Sequence, residues 1–291
     1  GIALGNVLLP SLVKRDFPDR IARVTAAYSM TMGLVAALAS MLVVPMSRAG
    51  GGWPVALVAL VALPVASALL WMPQLRRLEP AAPAANASDD GRPDDGRVWR
   101  SPLAWHVTLF LGLNSFVYYV VVSWLPAILV ENGYTAAAAG NLHGLLQLAT
   151  SCVGLLLLPI VGRVRDQRYL AFATSFMTLA SLVGLLLAPG AAVLWSALFG
   201  LGTGATFILA LSFVGLRVSR PQQAAALSGM AQCVGYLLAA AGPTIAGIAH
   251  DRTGDWTVAL ATCAVLCLAI SVFGFLAGRP ATIVTTRPRY A

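Results

Sequence analysis

Eight uncharged, predominantly apolar runs of twenty residues or more follow one another along this chain. They lie at about 24–47, 54–73, 103–126, 137–161, 169–188, 191–216, 223–249 and 256–277, and a shorter run from Gly1 to Val13 precedes them. About 20 such residues carry a helix across a hydrocarbon core about 30 Å thick. Backbone inside that core must satisfy its own polar groups, so each run reads as a membrane-spanning helix. A transmembrane barrel would instead show short alternating segments. The expected fold class is all-α integral membrane.

Charge placement supports this map. Only 10% of residues are charged, against about 25% in a soluble domain. All 19 Lys and Arg fall between the runs or at their edges. Seventeen of them occupy alternate loops: Lys14, Arg15, Arg20 and Arg23; Arg76, Arg77, Arg92, Arg97 and Arg100; Arg163, Arg165 and Arg168; Arg217 and Arg220; Arg279, Arg287 and Arg289. The other side holds Arg48 and Arg252. The positive-inside rule places the first set, and the C-terminus, in the cytoplasm. The net charge of +8 is thus a topology signal, and no nucleic-acid partner is expected. All seven Trp lie near run ends, as an interfacial belt requires.

An internal duplication orders the runs. Trp53-Pro-Val-Ala-Leu57 recurs as Trp256-Thr-Val-Ala-Leu260, 203 positions later. The same offset pairs Pro18 with Pro221 and Lys14 with Arg217. Such a repeat is typical of transporters built from equivalent halves. Three runs precede residue 74 and six follow residue 101, and the first three copy the last three. The copy of residues 102–190 would lie before Gly1. The expectation is therefore two six-helix bundles of which this chain carries spans 4 to 12. Residues 1–73 would end the first bundle, 74–101 form a cytoplasmic linker rich in Pro, Ala, Asp, Gly and Arg, 102–278 make the second bundle, and 279–291 a cytoplasmic tail. Asn86-Ala-Ser88 matches a glycosylation sequon, which a cytoplasmic linker would never present for modification.

Two six-helix halves joined by a cytoplasmic linker resemble the major facilitator superfamily. Gly162-Arg-Val-Arg-Asp166 is similar to that superfamily's Gly-x-x-x-Asp loop signature. More narrowly, the chain resembles the cyanate permease (CynX/NimT-like) family, which includes cyanate and nitroimidazole transporters. The resemblance rests on Gly5-Asn-Val-Leu-Leu-Pro10, Arg15-Asp-Phe-Pro18, Trp124-Leu-Pro126, Ala226-Leu-Ser-Gly-Met-Ala-Gln232, Gly235-Tyr-Leu-Leu-Ala239, Gly242-Pro243 and His250-Asp251. It covers about residues 1–278 apart from the linker. It departs at Asn114-Ser115, where the family pattern has a Gln-Ser pair. The resemblance implies a bacterial plasma-membrane carrier that works by alternating access.

Polar groups inside a bilayer are costly unless they face a cavity or a partner. At a rise of about 1.5 Å per residue, Asn114 in span 7, Gln147 in span 8 and Gln232 in span 11 lie roughly 14–18 Å deep. Three amides converging at that level fit a central site. Tyr118 shares a face with Asn114, and Ser228 and Tyr236 share one with Gln232. The expected substrate contacts are Asn6, Asn114, Ser115, Tyr118, Gln147, Gln232 and Tyr236. The bland alternative is helix-to-helix hydrogen bonding.

An uncharged, amide-lined cavity suits a small polar solute or a small anion such as cyanate, or alternatively a small heterocycle. No Asp, Glu, Lys or Arg lies within a span. His143 is therefore the one candidate for a coupling proton, although it also reads as an interfacial polar residue near the outer mouth. Asp166 is the candidate cytoplasmic gate, facing Arg20 and Arg23 across the seam, as the superfamily resemblance implies. Gly242-Pro243 is similar to a glycine-proline motif of antiporters, but that motif belongs in span 5, which has only Pro45 nearby, and here the pair lies in span 11, so antiport is not implied.

The four cysteines sit singly or one turn apart in apolar runs, with no metal-ligand pattern. No cofactor, metal or catalytic residue is expected, and the protein is expected to act as a monomer. An intramembrane enzyme would need a nucleophile beside a base, whereas Ser228 and His143 lie on separate spans at different depths. A transporter-derived sensor is the remaining class, and solute uptake by vesicles separates it from a carrier.

Overall fold

The computed structural model describes residues 21–49, 52–75, 97–161, 163–164, 166–219 and 221–283. The regular elements among them are all helical. They are α1 (Ile21–Ala49), α2 (Gly52–Leu75), a single turn α3 (Arg97–Arg100), α4 (Pro102–Glu131), α5 (Ala136–Val161), α6 (Arg168–Leu187), α7 (Ala192–Leu216), α8 (Pro221–Thr253) and α9 (Thr257–Ala277). A 3-10 turn, Pro189–Ala191, joins α6 to α7. Among the described helices α1, α2, α4, α6, α7, α8 and α9 are long and apolar enough to cross a membrane. The 26 residues of α5 carry no charged side chain.

The helix bounds track the apolar runs, with two extensions. α4 continues past Pro126 to Glu131, and α8, expected to run through Pro243 as far as residue 249, continues to Thr253. Proline removes one backbone donor and leaves the carbonyl four residues earlier without its helical partner. The Pro243 carbonyl accepts from Trp124 Nε1 at 2.8 Å, which ties α8 to α4 at that level. Of the expected linker, residues 76–96 lie outside the described ones. Its last residues form α3, where Val98 is fully buried.

Helices pack through small residues, as membrane helices do in the absence of a hydrophobic drive between them. α4 and α8 run parallel and touch backbone to backbone. A Cβ added at Gly112 would stand 3.1 Å from Gly235 Cα, and one at Gly242 would stand 3.2 Å from the Phe116 carbonyl. α5 meets α7 at Gly200 and Gly204, where an added Cβ would fall 2.4 Å from the Leu146 carbonyl and 2.5 Å from the Thr150 carbonyl. α6 packs on α7 and α9. Its hydroxyls at Thr174, Ser175, Thr178 and Ser181 bond to carbonyls of their own helix, and Thr206 on α7 reaches Thr174 at 3.1 Å.

α1 lies against α5, and α2 lies against α1. Nearly all the apolar surface of α2 is exposed, including Val58 and Leu70. An apolar surface of that extent calls for lipid or further helices to cover it.

The helix ends define two faces. One carries Arg100, Arg163, Arg168, Arg217 and Arg279 and is called the basic face here. The opposite face carries Arg48, Glu131, Asp251, Arg252 and Asp255. A knot of bonds secures the basic face. Arg217 is buried where α7 ends, with Nε donating to the Ala277 carbonyl at 2.7 Å and Nη2 to the Gly278 carbonyl at 3.0 Å. Nη2 also donates to Gln167 Oε1 at 2.5 Å. The guanidinium lies over the Phe213 ring, 4.9 Å from its centroid. Burial holds this guanidinium below its usual range, and its carbonyl acceptors offset the lost water.

The opposite face is closed by aromatic rings. The His250 imidazole stacks on Trp256 at 4.1 Å, and Trp124 lies 4.9 Å from Trp256. His250 Nε2 meets Glu131 Oε1 at 2.9 Å. α4, α8 and α9 are thereby joined at that end.

Candidate functional site

Polar side chains near the middle of α4 and α5 meet across the two helices. The Gly112–Gly235 contact brings α8 against α4 close to that level. Tyr118 on α4 donates its hydroxyl to Gln147 Oε1 on α5 at 2.9 Å. The neighbouring Tyr119 stands edge-on to Tyr118, with ring centroids 5.4 Å apart. It also lies within electrostatic reach of Tyr236 on α8. Tyr119 and Tyr236 are each 42% exposed. Phenols at mid-helix are costly against lipid tails and at home beside a polar cavity.

The other expected contacts are placed as follows. Asn114 is buried, and its Nδ2 donates to the Thr203 carbonyl of α7 at 3.2 Å. Ser115 beside it is also buried. Gln232 is half-buried and donates to Ser228 Oγ on its own helix at 2.8 Å. The structure thus joins Tyr118 and Gln147 directly, sets Tyr119 edge-on to Tyr118, and turns Asn114 towards α7. Asn6 lies outside the described residues.

On the basic face, Asp166 is engaged by Arg168. The guanidinium Nε donates to both carboxylate oxygens at 3.0 Å and Nη2 to Oδ2 at 2.8 Å. The Arg168 backbone N–H donates to Oδ1 at 3.1 Å. These bonds, the side-chain ones foremost, hold the carboxyl below its ordinary range. Arg20 lies outside the described residues. Arg23 is in the first turn of α1, and its side chain lies outside the described ones too.

Tyr119 was not singled out from sequence, because helical spacing from Asn114 selects Tyr118 alone. The adjacent aromatic pair within an uncharged run was the available signal. Thr203 carried none, since it contributes a backbone carbonyl. Among the described residues no group of His, Cys, Asp or Glu is arranged to hold a metal. A bundle of long apolar helices with polar side chains at mid-depth defines a multi-pass membrane protein.

The comparisons with known proteins agree. The major facilitator superfamily model matches residues 1–243, and the chain belongs to that superfamily. It is 54% identical over 279 residues to the 2-nitroimidazole transporter of Escherichia coli K12, a match covering 96% of this chain and 70% of that protein. It is 38% identical over 282 residues to the uncharacterized transporter YycB of Bacillus subtilis 168, covering 96% of this chain and 69% of that protein. The cyanate transport protein CynX of E. coli K12 is 29% identical over 261 residues, covering 88% of this chain and 65% of that protein. These similarities identify a CynX/NimT-like transporter of the superfamily.

Proposed function

We propose that the protein is a secondary carrier that moves a small planar polar solute by alternating access, with the tyrosine and amide layer as its binding site. The observation that carries this reading is the Tyr118–Gln147 hydrogen bond, with the Tyr119 ring edge-on to Tyr118. Ring faces stack on a flat heterocycle, and a phenol and an amide supply one donor and one acceptor for its edge. The described residues of this layer carry no fixed charge to bind a multivalent ion. The name of the relative at 54% identity supports a nitroimidazole-like heterocycle as substrate. Cyanate is the second reading, favoured by the amide donors and by the name of the CynX relative.

Substrate contact is assigned to Tyr118, Tyr119, Gln147, Gln232 and Tyr236, with Asn114 and Ser115 supporting from behind and Asn6 approaching from the other bundle. The basic face is cytoplasmic by the positive-inside rule, in a bacterial inner membrane. Asp166, ordered by Arg168 and half-buried on the basic face, is assigned as the closing charge there, with Arg20 and Arg23 as its partners.

Uptake of labelled 2-nitroimidazole and of labelled cyanate into proteoliposomes tests the reading. Gln147→Ala should lower transport of the accepted solute at least about tenfold, and Gln232→Ala should abolish it, with both variants inserting normally. Full transport by both variants would overturn the site.

A further inference from the structure

A histidine sits in the seam between α1 and α5. His143 on α5 meets Ser40 Oγ on α1 through Nδ1 at 2.8 Å. Small residues close the seam around this bond. A Cβ at Gly140 would stand 2.8 Å from the Ser40 carbonyl, and one at Gly144 would stand 2.7 Å from Met41 and 3.0 Å from the Ala37 carbonyl. The helices therefore touch backbone to backbone over the half that ends at the opposite face. A hollow of about 380 Å³ opens beside the bond. Ser40 and His143 are its polar lining residues, and Val43, Val44, Ala127 and Val130 are among the apolar ones.

The groups facing the imidazole decide what a proton would do there. From α4, Nε2 faces the Val122 carbonyl, which Pro126 leaves without its helical donor, but does not reach hydrogen-bond geometry. The nearest acid on α4, Glu131, is engaged with His250. From α1, the nearest charge is Arg48, about two turns past Ser40 and of the same sign as an imidazolium. On α5 the other titratable residue is Cys152. No described carboxylate faces His143. The closed seam thus holds a neutral imidazole well, with one hydroxyl as partner. It holds an imidazolium poorly, because a buried charge without a counter-ion loses its hydration uncompensated. Parting α1 from α5 would let water reach the ring through the hollow.

We propose that His143 is a proton-binding site, and that its occupancy opens the α1–α5 seam at the face opposite the basic loops. It rests on the alternating-access reading, to which it adds a coupling proton and its location. Neutral His143 bonds Ser40 and keeps that face shut. Protonated His143 is hydrated and keeps it open.

The test uses the full chain in lipid nanodiscs, with exposed Cys152 and Cys233 replaced by Ser and spin labels at Arg48→Cys and Asn141→Cys. Interspin distances are measured at about pH 8 and about pH 5.5, on either side of the ordinary histidine range. The long-distance population should rise at least about threefold in acid, and His143→Gln should abolish the rise. Ser40→Ala keeps the imidazole and loses its partner. It should show a larger open population at the higher pH and still respond to acid. An acid response that persists in His143→Gln, a flat response in the parent, or closure in acid would overturn the proposal. Exchange of 2-nitroimidazole is measured on the same proteins in liposomes. Exchange by the parent with a pH-independent distance sinks the His143 inference alone, whereas absent exchange of both 2-nitroimidazole and cyanate sinks the transport reading.

Discussion

The residues that matter most here are polar atoms whose partners sit on other helices. Arg217 is the clearest case. Removing its guanidinium would leave the Ala277 carbonyl and Gln167 Oε1 without a donor and cost about 1–3 kcal/mol. Arg217→Ala should therefore lower the melting temperature in detergent. Arg217→Lys should recover only part of the loss, because one ammonium cannot reproduce the guanidinium fork. Tyr118→Phe should reduce transport about tenfold by taking the donor from Gln147. Its melting temperature should be close to the parent's, since the ring packing is kept. Asp166 predicts a pH effect. Its carboxyl is held below the ordinary range by Arg168, so its contribution is fully present above that range and is lost as pH falls through the depressed value. Amide-exchange protection at Arg168, whose N–H donates to Asp166, should fall in acid and be low at every pH in Asp166→Asn. Sequence showed which of these residues were polar but not which were satisfied. Arg217 read as one more loop cation because its burial depends on where α9 ends, some sixty positions later.

At the scale of elements, the apolar runs were legible almost to the residue, because a bilayer imposes one length and forbids interior charge. The extension of α4 was not legible. It lies past Pro126, where a proline rule argues for a stop. The glycines divide in a way that sequence also hid. Gly200 is enclosed by the Leu146 carbonyl, whereas nothing lies within 4 Å of a Cβ built at Gly229. Gly200→Ala should cost about 1–3 kcal/mol through a backbone shift. Gly229→Ala, on the same kind of helix, should be neutral or slightly stabilising by its helix propensity. Thermal unfolding of the two variants side by side checks both.

For the whole molecule, the question is which face is closed. In the structure α1 and α5 meet tightly over the half that ends opposite the basic loops. A carrier with that half closed is expected to admit solute from the basic face. Asp166→Asn, which weakens the charge assigned to closing the basic face, should enlarge the population open there. Thiol labelling from that side would report it, and unchanged labelling would remove Asp166 from the gate. The charge bias made readable in advance which helix ends share the basic face. The choice between closed and open halves was not readable, because it depends on a balance between two packings of the same residues.

The position of Arg217 also bears on how the chain is made. Its acceptors at Ala277 and Gly278 leave the ribosome about sixty residues after it does, so until α9 docks its guanidinium has Gln167 and water as partners. The last helix to be made therefore fastens the end of one made two helices earlier, and the basic face is tied together only when the chain reaches Gly278.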